Sequence, residues 1–188
     1  TVNTKEHIIE NFKSGTKNSS NFKIGIEHEK FLFDLKNNKR VDYNKIKLMF
    51  DALIEFGWKP TLETGNIIGL NKYGKNITLE PGNQIELSGD KLNNIHDACA
   101  ESYDYLFELQ QVTKKLNIKI VSAGFDPISK LNEIPNNPKK RYEVMTKDML
   151  LGGELILDTI SYTPLRAHAT DSYLVCRLLL EKKKKADR

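Results

Sequence analysis

The chain has 188 residues, of which 39% are hydrophobic and 29% charged, a balance typical of one soluble domain or of one domain with part of a second. No run of eighteen apolar residues occurs, so a transmembrane helix is not expected. The net charge of +4 comes from residues 182–188, which carry five positive charges and one negative charge, so the chain gives little support for nucleic-acid binding.

Two cysteines, Cys99 and Cys176, are the only ones in the chain. Their wide separation predicts neither a disulfide framework nor a zinc site, and a reducing, cytoplasmic location is expected. Cys99 falls near an apolar helical stripe and is expected to be a small core residue rather than a nucleophile. Residues 1–5 lack an initiator Met and the apolar core of a signal peptide, so the start is expected to be processed or missing.

In chain order, the hydrophobic spacing predicts helices over 3–13, with Thr4 as N-cap, over 43–56, over 92–116 and from 139 to 150. Strands are predicted over 24–33, 77–87 and 118–123, with a further short apolar run at 67–70 and a hairpin turn at 72–76. A bulge or tight bend at Pro81-Gly82 is expected to break the strand over 77–87. Residues 14–21 and 128–139 are predicted to be turns or loops.

The strand over 24–33 carries two carboxylates, Glu27 and Glu29, two positions apart. Alternate side chains of a strand share a face, which sets their Cβ atoms roughly 7 Å apart. Two carboxylates on one face repel each other unless a cation lies between them, and Mg²⁺ and Mn²⁺ prefer such oxygen ligands. The alternative for this stretch alone is a solvated edge strand with two surface glutamates.

A second acidic segment strengthens the metal interpretation. If the alternation survives the break at Pro81-Gly82, Glu80, Gln84 and Glu86 share one face of the strand. Three or four carboxylates on one sheet face would repel strongly without cations. Together with nearby glycines they suggest the chemistry of ATP, in which Mg²⁺ bridges phosphate oxygens, although no P-loop motif occurs.

Several motifs then carry a resemblance over residues 20–150. They are Ile-Gly-Ile-Glu-His-Glu-Lys-Phe (24–31), Gly-Asn-Ile-Ile-Gly-Leu (65–70), Leu-Glu-Pro-Gly-Asn-Gln-Ile-Glu-Leu-Ser-Gly (79–89), His-Asp-Ala-Cys-Ala-Glu (96–101), Gly-Phe-Asp-Pro (124–127) and Arg-Tyr-Glu-Val-Met (141–145). In this order they resemble the glutamate-cysteine ligase family of plants and many proteobacteria.

The resemblance implies an α+β fold, in which a glutamine-synthetase-like antiparallel sheet forms an open funnel flanked by helices, here expected to be incomplete. It implies a ligase that joins glutamate to cysteine with ATP and Mg²⁺, the first step of glutathione biosynthesis. The implied partners are these small-molecule substrates, with no nucleic acid and no membrane, and a homodimer is an open alternative.

By motif position, Glu27 and Glu29 would bind the metal and face the triphosphate. Glu80 and Glu86 would complete the metal shell or contact the substrate amino group. Gln84 is a weaker candidate for nucleotide binding on the same face.

Arg141 lies in the family's Arg-Tyr motif and is predicted as the catalytic residue, because its planar fork suits a phosphate or a substrate carboxylate. The alternative is a surface cation at a helix start. His28 points to the opposite face of its strand and is expected to pack rather than to catalyse. Trp58, Phe31 and Phe33 are expected to be core residues rather than stacking platforms for a ligand.

The chain also departs from the family, whose members are more than twice as long. Residues 1–150 are predicted to be the N-terminal part of the catalytic domain, and residues 151–188 a divergent tail from a truncated, frame-shifted or fused reading. On this view the chain alone is expected to have little or no ligase activity. The alternatives are a related ligase with another amine acceptor, a non-catalytic module that binds Mg²⁺ and a nucleotide, and a nucleic-acid binder that uses the basic tail.

Overall fold

The computed structural model describes residues 4–126 and 128–145, which form three α-helices, six strands, three short 3₁₀ helices and a further helical stretch at 140–145. The elements are α1 (Lys5–Ser14), β1 (Glu27–Asp34), α2 (Tyr43–Ile54), β2 (Lys59–Glu63), β3 (Asn66–Lys72), β4 (Lys75–Glu80), β5 (Gln84–Ser88), α3 (Ile95–Lys115) and β6 (Ile118–Val121). The predictions for the end of the fourth helix, for Cys176 and for the tail over 151–188 lie outside the described residues.

The six strands form one sheet in the order β2-β3-β4-β5-β1-β6, and all five neighbouring pairs are antiparallel. Two-residue turns, Thr64-Gly65 and Tyr73-Gly74, join β2 to β3 and β3 to β4. All four turn residues have positive φ, as a type I′ turn requires. The predicted α+β class with an antiparallel sheet and helices is confirmed.

The hydrophobic core lies between one face of the sheet and the helices α2 and α3, because a single cluster of buried side chains joins them. Asp42 caps α2 by accepting a hydrogen bond from the backbone N–H of Lys45, at 2.9 Å. The sheet side of this core is made of fully buried aliphatic residues: Leu32, Ile77, Leu79, Ile85 and Leu87. On β4 and β5 the opposite face carries polar side chains, and on β1 it carries two glutamates followed by the buried rings of Phe31 and Phe33.

The chain reverses at Pro81–Asn83, so the segment predicted as one bent strand is in fact two antiparallel strands, β4 and β5. Gly82 and Asn83 have φ of 66° and 57°, and this left-handed backbone turns the chain back on itself. Glu80 and Glu86 thus lie on neighbouring strands rather than on one strand. The alternation nevertheless survives, because Glu80 pairs with Gln84 across the turn.

The strand β2 is missing from the sequence prediction. Four of its five residues are exposed, so it lacks the alternating pattern that identifies a half-buried strand. It is an edge strand, where Pro60 is tolerated, and it is held by pairing with β3. The Thr64-Gly65 turn was the available signal for this hairpin.

The first helix begins as predicted, since Thr4 Oγ1 accepts a hydrogen bond from the backbone N–H of His7 at 3.3 Å. No residue of α1 is buried, and its apolar residues Ile8, Ile9 and Phe12 are exposed. Helical spacing therefore identified the helix without giving it a place in the core. Within residues 4–126 and 128–145, no helix combines the length and the hydropathy needed to cross a membrane.

Candidate active site

The sheet face opposite the helices carries Glu27, Glu29, Glu80 and Glu86, and we refer to it as the acidic face. Its central pair is Glu29 on β1 and Glu86 on β5, which occupy directly opposite positions in the ladder. Opposed residues of an antiparallel pair have Cβ atoms about 5 Å apart. Two carboxylates from different strands are thus brought to one spot.

Two further rows flank this pair on the same face. On one side Glu27 lies opposite Ser88, and on the other Glu80 lies opposite Gln84. The structure therefore brings the four predicted carboxylates to three adjacent strands of one sheet face. Gln84 is largely buried, and its side-chain amide donates to the Pro81 carbonyl at 3.5 Å.

Burial and mutual repulsion make ionisation of this face costly. The pKa of Glu29 is raised from 4.5 to about 7, first by burial and then by the charges of Glu86, Glu80 and Glu27. Burial also raises the pKa of Glu86, with a second contribution from the charges of Glu80 and Glu27. A cation bound between these carboxylates would reverse this penalty.

No group of three or more His, Cys, Asp or Glu side chains in the described part of the chain is arranged to hold a metal ion. Mg²⁺ usually binds through one or two carboxylates together with water and substrate phosphates. The opposed pair Glu29 and Glu86 fits that mode of binding, since both offer hard oxygen donors on a rigid sheet.

Glu80 differs from the other three carboxylates because it is surrounded by donors. Its two oxygens accept hydrogen bonds from Arg141 Nη2 at 3.2 and 3.3 Å and from the Tyr142 hydroxyl at 2.6 Å. The Thr78 hydroxyl donates at 3.3 Å, and Lys139 Nζ lies 3.8 Å away. We call Glu80, Lys139, Arg141 and Tyr142 the Glu80 cluster.

Residues 137–142, which supply Lys139, Arg141 and Tyr142, bind the end of β4 beyond its pairing with β3. Pairing between β3 and β4 ends at Thr78, and the next backbone carbonyls of β4 are bonded by side chains instead. Lys139 Nζ donates to the Leu79 carbonyl at 2.5 Å, and the Asn137 amide donates to the Glu80 carbonyl at 3.0 Å. Residues 137–142 are thereby fixed to the edge of the acidic face.

A cleft of about 310 Å³ lies beside the Glu80 cluster, since Lys139 and Tyr142 belong to both. Its other walls are residues 81–82, residues 136–138 and Glu143. Lys139 is 8% exposed, and its burial lowers the pKa of its ammonium group.

A buried ion pair supports the turn between β4 and β5. Arg40 donates to Asp126 at 2.9 Å, with the two side chains 2% and 4% exposed, and it also donates to the Gly82 carbonyl. Its guanidinium lies over the rings of Phe31 at 4.7 Å and Phe33 at 5.8 Å. Arg40 therefore links β1, the turn and the loop after β6.

Comparison with known proteins decides the family. The model of glutamate-cysteine ligase family 2 (GCS2) matches residues 23–164. The chain is also 38% identical over 161 residues to glutamate–cysteine ligase A, chloroplastic, of Oryza sativa subsp. japonica. The chain belongs to the glutamate-cysteine ligase family. The resemblance found in the sequence motifs is confirmed.

Two further relatives are chloroplastic glutamate–cysteine ligases of Medicago truncatula, at 38% identity, and Arabidopsis thaliana, at 36%. Each match covers 85% of this chain but only 31 to 33% of the relative. The chain thus spans about a third of the length of these glutamate–cysteine ligases. The family match extends beyond residue 150, the predicted start of the tail, and the origin of residues 151–188 stays a prediction.

The predicted cytoplasmic location is wrong. The matched glutamate–cysteine ligases of rice, Medicago and Arabidopsis are all chloroplastic. The prediction rested on the small number of cysteines, which reports a reducing environment but does not distinguish one reducing compartment from another.

The residues that were expected to pack rather than to bind a ligand are buried or half-buried. His28 faces the helices as predicted: its ring nitrogen lies 3.1 Å from the Ser102 hydroxyl, and its ring stacks on Tyr105 with centroids 6.4 Å apart. Trp58 is buried as expected and donates to Glu108 at 2.7 Å. Phe31 and Phe33 are buried as well, and Cys99 on α3 is half-buried.

Sequence reasoning selected Arg141 but missed its neighbours Lys139 and Tyr142. The run Lys139-Lys140-Arg141 reads as a basic surface, and only the fold separates the buried Lys139 from the exposed Lys140. The pairing of Arg141 with Tyr142 in the family motif was the one available signal.

Proposed function

We propose that the chain forms one wall of a ligase site that joins the γ-carboxylate of glutamate to the amine of cysteine with Mg²⁺ and ATP. The observation that supports this most is the opposed pair Glu29 and Glu86, two partly buried carboxylates with raised pKa values on a rigid sheet. Family membership supports this choice of reaction, because the matched relatives are glutamate–cysteine ligases.

In the proposed reaction, the γ-carboxylate of glutamate attacks the terminal phosphorus of ATP, giving an acyl phosphate and ADP. The cysteine amine then attacks the acyl carbon, so that a C–N bond forms, the C–O bond to phosphate breaks and inorganic phosphate leaves. A carboxylate and a triphosphate are both anionic, so the site must offset their repulsion.

Glu27, Glu29 and Glu86 are the residues we propose to hold Mg²⁺, with Gln84 beside them toward the nucleotide. The bound metal would neutralise charge on the phosphates. The protein's own contribution is rigidity: the carboxylates come from β1 and β5, whose ladder fixes their spacing.

Arg141 is proposed to bind a phosphate or a substrate carboxylate. Its side chain is 59% exposed, so its guanidinium is accessible to a ligand. A guanidinium can bind either anion through two parallel hydrogen bonds.

The names of the relatives also suggest a plastid as the site of action. Glutamate, cysteine and ATP are the proposed substrates of the whole ligase. The homodimer and the low activity of the isolated 188-residue chain stay predictions.

Calorimetry with the 188-residue chain tests the proposed metal site at Glu27, Glu29 and Glu86 directly. Mn²⁺ serves as the probe, alone and with ATP, on the wild type, Glu29→Gln and Glu86→Gln. We expect each substitution to weaken Mn²⁺ binding by at least about tenfold, because one of two opposed ligands is lost. Glu55→Gln, an exposed carboxylate at the end of α2, is the matched control and should bind as the wild type does.

Equal Mn²⁺ affinity in the wild type, Glu29→Gln and Glu86→Gln would contradict the proposed metal site. Phosphate release that depends on both glutamate and cysteine, measured on the same preparation, separates a catalytic chain from one that only binds metal and nucleotide.

A further inference from the structure

Glu80 has little capacity left for an additional ligand. An ionised carboxylate offers about four acceptor positions. Arg141 Nη2 bonds both Glu80 oxygens, and the hydroxyls of Tyr142 and Thr78 take one oxygen each. Lys139 Nζ, 3.8 Å away, adds a nearly buried positive charge. The other carboxylates of the acidic face have no such set of donors among the contacts of the described residues.

The members of the Glu80 cluster also differ in exposure. The side chains of Glu80 and Lys139 are 19% and 9% exposed, whereas that of Arg141 is 59% exposed. Tyr142 is buried, and its ring packs under the Arg141 guanidinium at 4.6 Å from the ring centroid. The buried members, Glu80, Lys139 and Tyr142, thus support the one exposed cation of the cluster, Arg141.

We propose that Glu80 is a positioning residue for Arg141 rather than a ligand of the metal. Lys139 and Tyr142 hold the Glu80 carboxylate in place, and Glu80 in turn aims the Arg141 fork over the acidic face. This rests on the proposed function for the identity of the anion that Arg141 binds, a phosphate or a carboxylate. It removes Glu80 from the predicted metal shell and leaves Glu27, Glu29 and Glu86 there.

The geometry favours this assignment over metal ligation. A metal at Glu80 would have to displace Arg141 or Tyr142 and would then lie next to two cations, Lys139 and Arg141. Glu29 and Glu86 offer a site with less of that repulsion, since the charges around them are mainly those of other carboxylates, although Lys139 also acts on Glu86.

The test uses two readouts on the 188-residue chain. The first is nuclear magnetic resonance of the Arg141 guanidinium, assigned by the signal that Arg141→Lys removes. Rotation about its Nε–Cζ bond is slow while Nη2 is bound to Glu80, so Glu80→Gln should speed it by about tenfold. Tyr142→Phe, which removes one hydroxyl from the cluster, should speed it to a smaller extent.

Glu63→Gln is the matched control for this readout. Glu63 also contacts the start of the same helical stretch, but through the backbone N–H of Lys140 at 3.0 Å. The Arg141 rotation rate should stay at its wild-type value in this variant.

The second readout is Mn²⁺ binding. Glu80→Gln should change the dissociation constant by no more than about twofold, while Glu29→Gln weakens it by at least about tenfold. An equal loss in both variants would overturn the proposal, because Glu80 would then be a ligand. Unchanged Arg141 rotation in Glu80→Gln would overturn it as well.

If the wild-type chain binds no Mn²⁺, the proposed metal site is wrong, and the rotation rate of the Arg141 guanidinium alone decides the role of Glu80. Faster rotation in Glu80→Gln then supports the positioning role, and an unchanged rate contradicts it.

Discussion

Glu29 and Glu86 lie directly opposite each other on β1 and β5, so two like charges meet at a paired position of the sheet. Like charges at such a position destabilise a sheet, and partial burial adds to the cost. The fold tolerates the pair because the opposite face of β5 contributes the fully buried aliphatic side chains Ile85 and Leu87 to the core. Apolar burial on one face of the sheet thus offsets the electrostatic cost of the carboxylates on the other face.

The first prediction concerns pH. The folded chain keeps the Glu29 proton up to about pH 7, whereas the unfolded chain loses it near 4.5. The free energy of unfolding of the metal-free chain should therefore fall as the pH rises through this window, with a contribution of the same sign from Glu86. Glu29→Gln should flatten this dependence and stabilise the chain by about 1 kcal/mol above pH 7, allowing for solvent screening of a half-buried group.

Urea unfolding in the presence of a chelator, at about pH 5 and about pH 8, measures this difference. Glu55→Gln on the exposed end of α2 should leave the pH dependence unchanged. A wild-type chain that is more stable at the higher pH would contradict the prediction.

The second prediction concerns the buried ion pair. Asp126→Ala leaves the Arg40 guanidinium buried without its carboxylate, and should lower the free energy of unfolding by about 3 kcal/mol. The control is the exposed pair Lys39–Glu133, at 4.0 Å with side chains 70% and 41% exposed. Lys39→Ala, which removes the exposed pair and keeps the hydrogen bond from the Lys130 backbone N–H to Glu133, should cost less than about 0.5 kcal/mol. Similar losses in both variants, measured by urea unfolding, would argue against a special role of the buried pair.

The third prediction concerns the turn between β4 and β5. Gly82 has φ of 66°, and a Cβ at this position would lie 2.6 Å from Ile134 Cγ2 and 3.3 Å from Arg40 Nη2. Gly82→Ala should therefore destabilise the chain by about 2 kcal/mol through backbone strain and steric overlap. Gly25→Ala is the control, because nothing lies within 4 Å of a Cβ there. A thermal unfolding midpoint that is equal in the two variants would refute this account of the turn.

The fourth prediction concerns two tyrosine hydroxyls. The Tyr105 hydroxyl is fully buried and has no hydrogen-bond partner among the described residues, so Tyr105→Phe should be neutral or stabilise the chain by up to about 1 kcal/mol. Tyr43 donates to the Ile67 carbonyl at 3.0 Å, so Tyr43→Phe should cost about 1 kcal/mol. Chemical unfolding of both variants gives the comparison, and a larger loss in Tyr105→Phe than in Tyr43→Phe would contradict it.

Local sequence was sufficient for the elements whose burial shows in their periodicity. The apolar spacing of Ile46, Met49, Phe50, Leu53 and Ile54 predicted α2, and all of these residues are buried except Ile54, which is half-buried. It was insufficient where pairing alone makes the structure, as in the exposed β2. For the Pro81-Gly82 break, the residues indicated a bend but not its angle, so one strand was predicted where the chain turns back into two.

The candidate site shows the same division. Alternation correctly placed Glu80 and Glu86 on one face, because the side-chain period of a strand is independent of what surrounds it. The partners of Glu80 could not be predicted, since Lys139 and Tyr142 reach it only through the fold. Whether a carboxylate meets a metal or an arginine depends on such contacts between residues far apart in sequence.

The hydrogen bonds that carry residues 137–142 onto β4 span 57 to 63 positions of the chain. The two-residue turns of β2, β3 and β4 close locally, so these strands can pair soon after they are synthesised. The donors to Glu80 from residues 139–142 are synthesised much later, because they follow the whole of α3 and β6 in the chain. On a ribosome, β2, β3 and β4 would therefore pair before Arg141 has been synthesised. The ability to bind an anion at Arg141 would lag behind the folding of these strands.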